Sequence, residues 1–446
     1  MKVNHSTVLR TALSERSEPN GRSRTIKFFT LGCKVNQYDT QSIRERFINA
    51  GFKEIYDGEM ADIYVINTCT VTHRADSGSF NLIRRAKKEN SNAKIIVTGC
   101  LTELDEDAIK KIGGISLIVK NRDKERIIDL LYLDYRTIEQ KNHRTKTGIS
   151  YFKGHTRAFV KIQDGCNNFC SYCKVPKVRG ASRSRPLDEI LQEARKLVRN
   201  GFKEIVLCGI CLGAYGKDLQ SKRNLVSVIE ELERIEGLLR IRLSSIEAGD
   251  VSDRLIQKMA QSKKLCRHLH IPIQSGDGEI LKKMNRSYTR DGYLNLIKKI
   301  KRSIPEIAIT TDVLVGFPGE GEDNFKNTVD LIREIMPLRV HIFPYSKRLG
   351  TRAAFLKDKT NPLALKERIS QLARISIECA LAYKKQFLNK DRDVLIESCK
   401  ENKGYWDGYT DNYIRVRVKS DKDLKNKLIQ VRLKKIHKNF LLAGFC

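Results

Sequence analysis

Short runs rich in Ile and Val alternate with helical patterns along most of this chain, and that alternation constrains the fold more than any other feature. Residues 25–34 (TIKFFTLGCK) read as a strand ending at a glycine turn, followed by a helical pattern to about Ala50. A second strand, Ile63-Tyr-Val-Ile66, ends in Asn67-Thr68-Cys69, and a helix rich in Arg and Lys follows. A third, Lys94-Ile-Ile-Val-Thr98, ends in Gly99-Cys100. Strand–helix alternation of this kind predicts a parallel α/β sheet. Ligands of such sheets bind at the carboxyl ends of the strands. Cys33, Cys69 and Cys100 each lie just after a predicted strand, so all three should converge on one edge.

A second α/β series begins near Ala158, with strands expected near 158–163, 204–209, 239–245, 268–273, 307–315 and 339–343. Six units rather than eight predict an open, partial (β/α) barrel, with its chemistry at the strands' C-terminal ends. After a helical stretch at about 362–390 the texture changes. Val394-Leu-Ile-Glu397, residues 413–418 (YIRVRV) and residues 428–433 (LIQVRL) alternate around turns such as Trp406-Asp-Gly408, which predicts a small all-β barrel. The chain is long enough for about three domains of ~150 residues. The expected division is an extension at 1–24, an α/β domain at 25–140, a polar linker around 132–150, the partial barrel at 150–382 and the small barrel at 383–446.

Within the second series, Cys166-Asn-Asn-Phe-Cys170-Ser-Tyr-Cys173 places three cysteines in one short loop with no neighbour in sequence to act as a fourth ligand. An iron–sulfur cubane held by three thiolates keeps one iron open to bind and activate a small molecule. A closed zinc site needs four ligands, and His155 lies outside any compact zinc spacing. Chance clustering is the other alternative. The chain has 12 cysteines and no apolar h-region near residue 1, which predicts a reducing, cytoplasmic setting and metal binding rather than disulfides. No apolar run approaches the ~18 residues of a membrane span, so no membrane partner is expected.

The formal net charge is +31, from 84 basic and 53 acidic residues. Such an excess favours a polyanion, most simply nucleic acid. From Tyr383 onward, sixteen Lys and Arg stand against eight Asp and Glu, interleaved with Tyr405, Trp406, Tyr409 and Tyr413. Aromatic faces can stack bases while cations hold phosphates; the competing reading makes half of these aromatics barrel core. Lys174, Lys177, Arg179, Arg183 and Arg185 form a second basic run, either a solvated loop or a guide for anticodon phosphates or a reductant.

The pattern C-x3-C-x2-C with an aromatic before the last cysteine resembles the radical S-adenosylmethionine (SAM) enzymes. Leu31-Gly-Cys33-Lys-Val-Asn-Gln37, Asn67-Thr-Cys69-Thr-Val-Thr72 and Val97-Thr-Gly-Cys100 resemble the N-terminal domain of the radical SAM methylthiotransferases. So do Arg242-Leu-Ser-Ser-Ile-Glu247, His268-Leu-His-Ile-Pro-Ile-Gln-Ser-Gly276, Met284-Asn-Arg286, residues 311–320 (TDVLVGFPGE) and His341-Ile-Phe-Pro-Tyr-Ser346. The C-terminal segment resembles a TRAM domain, an RNA-binding module. This resemblance implies two [4Fe–4S] clusters. One, on Cys166, Cys170 and Cys173, would bind SAM and cleave it to a 5′-deoxyadenosyl radical. The other, on Cys33, Cys69 and Cys100, would carry sulfur as a methylated sulfide or polysulfide. Tyr172 would sit against the adenine of SAM. Gly209, Gly213, Glu247, Gln274, Ser275, Asp312 and Tyr345 would complete the SAM pocket, with Gly209, Gly213 and Gly216 allowing close backbone approach.

Residues 67–76 (NTCTVTHRAD) and 408–416 (GYTDNYIRV) look most like the branch acting on threonylcarbamoyladenosine 37 of tRNA. The expected partners are a tRNA anticodon loop, a one-electron reductant such as a flavodoxin or ferredoxin, and a sulfur donor. Two rivals stand beside this reading: a methylthiotransferase for isopentenyladenosine tRNA or a ribosomal-protein aspartate, and a non-catalytic RNA-binding protein with structural metal sites. The chain departs from the family pattern at Ser77-Gly-Ser-Phe80, Lys120, Cys208, Cys211 and Arg352. Cys208-Gly-Ile-Cys211 reads as small residues in the SAM loop rather than a redox pair.

Overall fold

The computed structural model describes residues 24–56, 58–132, 148–221, 223–357, 361–400, 404–437 and 439–446. Most of the expected extension at 1–24 and of the linker at 132–150 lies outside the described residues. The chain forms two compact units. The first comprises residues up to Tyr151 together with Lys177–Gly180, and the second comprises Phe152–Pro176 and Ala181–Cys446.

In the first unit, β1 (Thr25–Thr30), β2 (Lys53–Glu54), β3 (Ile63–Thr68), β4 (Lys94–Gly99) and β5 (Leu117–Val119) pair in parallel in the order β2-β1-β3-β4-β5. Parallel sheets carry helices on both faces, so a central strand is apolar on both sides. β3 shows this directly, being buried along its whole length. Tyr64 and Ile66 join Ile83, Ile95 and Val97 on one face, while Ile63 and Val65 join Ile26, Phe47 and Ile96 on the other. The alternation follows from the two-residue period of a strand. Each fully buried Ile or Val contributes roughly 1.5–3 kcal/mol.

The second unit contains six parallel strands in chain order: β6 (Arg157–Lys161), β9 (Glu204–Cys208), β10 (Arg240–Leu243), β11 (His268–His270), β12 (Ala308–Val315) and β13 (Arg339–Pro344). They form two three-stranded sheets linked by the bridges Ile241–Leu265 and Ser245–His270. β7 (Gln163–Asp164) and β8 (Arg183–Ser184) make a small antiparallel pair. The expected partial barrel is present. The helix Pro362–Lys385, capped by the Asn361 side chain, leads to the C-terminal strands. Those strands, β14 (Asp391–Lys400), β15 (Tyr405–Thr410), β16 (Arg415–Lys419), β17 (Leu428–Ile436) and β18 (Leu441–Phe445), close a barrel in the order β14-β15-β16-β18-β17.

The turn expected at Trp406-Asp-Gly408 is instead the middle of β15. Gly408 is required there because a Cβ would stand 2.4 Å from the Leu395 carbonyl oxygen of the paired strand. The chain turns at Asp411-Asn412, and Tyr413 follows with a left-handed φ of 65°.

The small barrel shares its core with the larger one: Ala308, Leu338, Tyr383 and Phe387 pack with Val394, Ile414, Val416 and Val431. Their interface lies at the amino ends of the larger barrel's strands. Arg240 donates to the carbonyls of Tyr409 (2.9 Å) and Asp393 (2.7 Å), and Arg242 to those of Asp411 and Thr410. His268 stacks on Tyr413 at 4.4 Å, Tyr409 stacks on Tyr413 at 5.1 Å, and the Arg157 guanidinium lies over both tyrosines. Trp406 donates its indole N–H to the Ser420 carbonyl. The sequence-based expectation that Tyr409 and Tyr413 stack RNA bases is therefore corrected, because their faces are taken by His268 and the arginines of the larger barrel.

Glu204, fully buried at the start of β9, anchors this interface. Arg242 Nε donates to its Oε1 at 2.6 Å, with Arg157 and Arg240 at 3.9 Å. Burial alone would raise its pKa, but the guanidinium groups of Arg242, Arg157 and Arg240 more than offset this and hold it below the ordinary range. A depressed carboxyl pKa stabilises the fold above the unfolded value of about 4.3, and that contribution is lost as pH falls through the folded value. Glu204→Gln is expected to lower stability by roughly 3–5 kcal/mol near neutral pH, because it leaves buried guanidinium charge uncompensated. Urea unfolding followed by circular dichroism checks this. A midpoint equal to that of the unsubstituted chain would show the cluster to be dispensable.

Candidate functional site

The first group of cysteines sits at the carboxyl ends of three adjacent strands. Cys33 follows β1 and caps the helix Lys34–Asn49, Cys69 directly follows β3, and Cys100 directly follows β4. The sheet order brings these ends together, as the strand-end spacing predicts. Cys69 Sγ lies 3.1 Å from the position a Cβ on residue 32 would take, so Gly32 makes room for it. Burial raises the Cys69 thiol to about 11, helped by the charges of Cys100 and Cys33. Ser79 Oγ accepts from the Cys69 N–H (3.2 Å) and donates to the Cys69 carbonyl (3.0 Å). The departure Ser77-Gly-Ser-Phe80 thus supplies the residue that fixes this cysteine's backbone.

Buried charged groups lie near Cys100. Lys124 Nζ and Arg179 Nη1 both approach Asp39 Oδ2 at 3.0 Å, and Arg179 also donates to Asn36 Oδ1. Two cations thus share one carboxylate, all three nearly excluded from water. Burial lowers the Lys124 pKa while Asp39 and Cys100 oppose the shift. A negative charge at Cys100 favours the charged form of Lys124, which fits a metal-binding thiolate there. Arg179 belongs to the run expected to be either a solvated loop or a guide for anticodon phosphates or a reductant. It is internal because it neutralises Asp39, and Arg185 is likewise engaged by Glu193 (2.7 Å) and the Lys161 carbonyl (2.6 Å).

The second group, Cys166, Cys170 and Cys173, occupies the loop after β7. Backbone N–H groups of Asn168 and Val175 point at the sulfurs of Cys166 and Cys173, each at 3.4 Å. Arg286 Nη1 reaches Cys170 Sγ at 3.1 Å and pairs through Nη2 with Glu247. Its guanidinium also lies over the Tyr288 ring at 4.9 Å. Arg352, where the family pattern has Pro, donates to the Phe169 carbonyl at 2.8 Å and ties down the loop at a residue with φ of 48°. These donors stabilise thiolates, so the residues fit a thiolate-bound iron–sulfur group.

A fourth thiol stands here that local spacing does not reveal. Cys211, buried after β9, hydrogen-bonds to Cys166, receives the Asn168 side-chain amide at 3.8 Å and donates to Asp250 Oδ2 at 3.5 Å. The expectation of no neighbouring fourth sulfur is corrected by the fold, which returns β9 beside the cysteine loop. Cys208 is fully buried at the end of the strand.

The expected SAM residues divide. Glu247 is raised by burial and by the charges of Asp250 and Asp312, with Arg286 opposing; Glu247, Asp312 and the cysteine loop therefore lie close together. Gln274, at a φ of 67°, donates its N–H to the Asp312 carbonyl at 2.8 Å. Tyr172 and Tyr345 both pack edge-on against Phe317, with ring centroids at 6.5 and 5.5 Å. Ser275 is fully buried, with its hydroxyl turned to Thr328 and the Asp277 N–H rather than to an open pocket. The glycines are closely packed. A Cβ on Gly209 would meet Gln163 Oε1 at 2.8 Å, on Gly213 the Asp250 Cβ at 2.2 Å, and on Gly216 the Arg223 carbonyl at 1.9 Å, so packing within the chain by itself excludes a side chain at these positions. Arg286, which contacts Cys170 and Glu247, has no role in the sequence-based expectation; its place in the segment Met284-Asn-Arg286 is the available signal.

Residues 160–332 match the radical SAM superfamily, and residues 25–120 match an uncharacterised protein family, UPF0004. The chain is 40% identical over 426 residues to the threonylcarbamoyladenosine tRNA methylthiotransferase MtaB of Bacillus subtilis (strain 168), covering 92% of this chain and 94% of that protein. It is 35% identical over 441 residues to the tRNA-2-methylthio-N(6)-dimethylallyladenosine synthase of Caldicellulosiruptor saccharolyticus, covering 96% and 94%. Among solved structures, the radical SAM methyltransferase TsrM of Kitasatospora setae superposes with a TM-score of 0.55 at 14% identity, covering 81% of this chain and 89% of that one. At that identity the likeness concerns the fold.

In the metal-free chain the three loop thiols differ. The Cys211 hydrogen bond lowers Cys166 to about 7, whereas burial pushes Cys173 to about 12 and raises Cys170. Thiolate is the reactive form. Iodoacetamide at pH 8 should therefore alkylate Cys166 about tenfold faster than Cys173 or more, and Cys211→Ala should slow that reaction. Peptide mass spectrometry measures the rates, and equal rates at the three positions would refute the assignment.

Proposed function

Because the chain belongs to the radical SAM methylthiotransferases, which it matches over nine-tenths of its length, we propose that it adds a methylthio group to C2 of N6-threonylcarbamoyladenosine 37 in tRNA. The observation carrying the choice of nucleoside is the 40% identity to the Bacillus subtilis threonylcarbamoyladenosine enzyme, with two further relatives of that name at 38% and 34%. Family membership brings SAM and an iron–sulfur cluster. The finer assignment puts one [4Fe–4S] cluster on Cys166, Cys170 and Cys173 and a second on Cys33, Cys69 and Cys100. When bound, these groups supply one-electron cleavage of SAM and a sulfur atom ready for methylation.

The chain's own residues prepare both positions. Arg286 donates to Cys170, opposing the effect of its burial, and pairs with Glu247. The Asn168 and Val175 N–H groups fix two sulfurs of the loop. Lys124 provides positive charge near Cys100 and shares Asp39 with Arg179. The positive excess of the whole chain supports binding to tRNA, and the affinity should fall steeply with salt. Position 37 lies in a loop, where a base can be presented without opening a duplex. The C2–H of adenine is not acidic enough for ordinary base chemistry, which is the reason for a radical route.

The second reading is isopentenyladenosine 37 as substrate, favoured by the 35% identity to the dimethylallyladenosine synthase. Nucleoside mass spectrometry of tRNA from cells with and without this gene separates the two, since the methylthio product carries either a threonylcarbamoyl or an isopentenyl group. An anaerobic assay tests the division of labour among the cysteines. Cys33→Ala, Cys69→Ala or Cys100→Ala is expected to retain 5′-deoxyadenosine release while losing the methylthio-nucleoside. Cys166→Ala, Cys170→Ala or Cys173→Ala is expected to lose both. Full product from any of the first three variants would refute a sulfur-carrying role for those cysteines.

A further inference from the structure

His270, Asp312 and His341 come from three neighbouring strands of the larger barrel. His270 ends β11, Asp312 lies in β12, and His341 lies beside Asp312 in the β12–β13 register. One ligand-capable atom from each lies within 4.8 Å of the other two. His270 Nε2 is 3.2 Å from Asp312 Oδ1, and the two imidazole rings stand nearly perpendicular, at 73°, with centroids 5.6 Å apart. We propose that these three residues form a binding site for a divalent first-row transition metal, distinct from the cysteine groups.

Three features support the site. Its donor set is two imidazoles and one carboxylate, the combination that suits iron(II), manganese(II), cobalt(II) or zinc(II) and leaves coordination positions for water or an oxygen ligand. The 3.2 Å separation of the His270 and Asp312 donors is about that of two ligands sharing one metal at ~2.0–2.1 Å in tetrahedral geometry. The ring of His270 is also oriented from behind. Its Nδ1 lies 2.9 Å from Thr310 Oγ1, and Thr310 Oγ1 lies 3.0 Å from His268 Nε2. A metal-binding histidine characteristically commits its second nitrogen to such a partner, which fixes both tautomer and direction.

Cobalt(II) is a suitable probe because its absorption distinguishes ligand types. The full-length chain, anaerobically reconstituted with iron and sulfide so that its cysteines are occupied, is dialysed against micromolar cobalt(II). About one cobalt per chain is expected beyond the iron, with weak d–d bands and no thiolate-to-cobalt charge transfer. Asp312→Asn and His341→Ala should each abolish the extra cobalt with iron and sulfide content unchanged. Thr310→Ala, which removes only the orienting hydroxyl, should weaken cobalt binding about tenfold. Asp312→Asn is nearly isosteric, so it keeps the test decisive if His341→Ala does not fold. Failure of the unsubstituted chain to bind cobalt, charge-transfer bands indicating thiolate ligation, or full binding by Asp312→Asn would overturn the proposal. None of these readouts depends on which nucleoside the enzyme modifies.

Discussion

Parallel strand pairing imposes one constraint from which the chemistry follows: every strand's carboxyl end lies on the same edge as its neighbours'. In the first unit this edge carries Cys33, Cys69 and Cys100, although 36 and 31 residues separate them along the chain. In the second unit His270 ends β11, Glu247 and the cysteine loop follow strands, and Asp312 and His341 pair within β12 and β13. No local motif is needed to gather such distant residues. Buried strands such as β3 fix the register through their apolar faces, and the side chains beyond the last residue are delivered together.

The opposite edge of the larger barrel is used for architecture. Glu204, Arg157, Arg240, Arg242 and His268 all lie at or near the beginnings of their strands and meet the C-terminal barrel there. A fully buried carboxylate is tolerated only because guanidinium groups surround it, and those groups in turn satisfy carbonyls of the turn at Tyr409–Asp411. The C-terminal barrel is thereby held by charged and aromatic groups whose composition alone suggests nucleic-acid binding. Basic and aromatic texture is ambiguous for this reason: the same arginine–tyrosine stacking serves RNA and a domain interface equally well.

Polar groups around the cysteines differ between the two sites. Near Cys100 the positive charge is buried and shared with Asp39. At Cys170 it comes from Arg286, which simultaneously holds Glu247. A single arginine therefore couples a sulfur of the loop to a carboxylate of the expected SAM position. Cys211 adds a fourth sulfur beside Cys166 and accounts for the distinct acidity of that thiol.

Much of the fold was legible in the sequence. The period of Ile63–Ile66, the six β/α units after Ala158 and the alternating runs after Val394 each specify an element type, because burial on one or two faces leaves a periodic apolar trace. The six cysteines were legible for a related reason: their types and their places after strands are local properties. What the sequence could not decide is which distant side chains become neighbours. Nothing near Cys211 points to Cys166, nothing near Tyr413 points to His268, and nothing near Arg179 points to Asp39. Glycines 209 and 213 were read as room for a ligand, and in the fold Gln163 and Asp250 by themselves already require them. Sequence determined the elements and the chemistry at their ends, through local periodicity and residue type. Tertiary structure alone decided the partners, because pairing buried charges and filling space depend on distances that no single segment of chain contains.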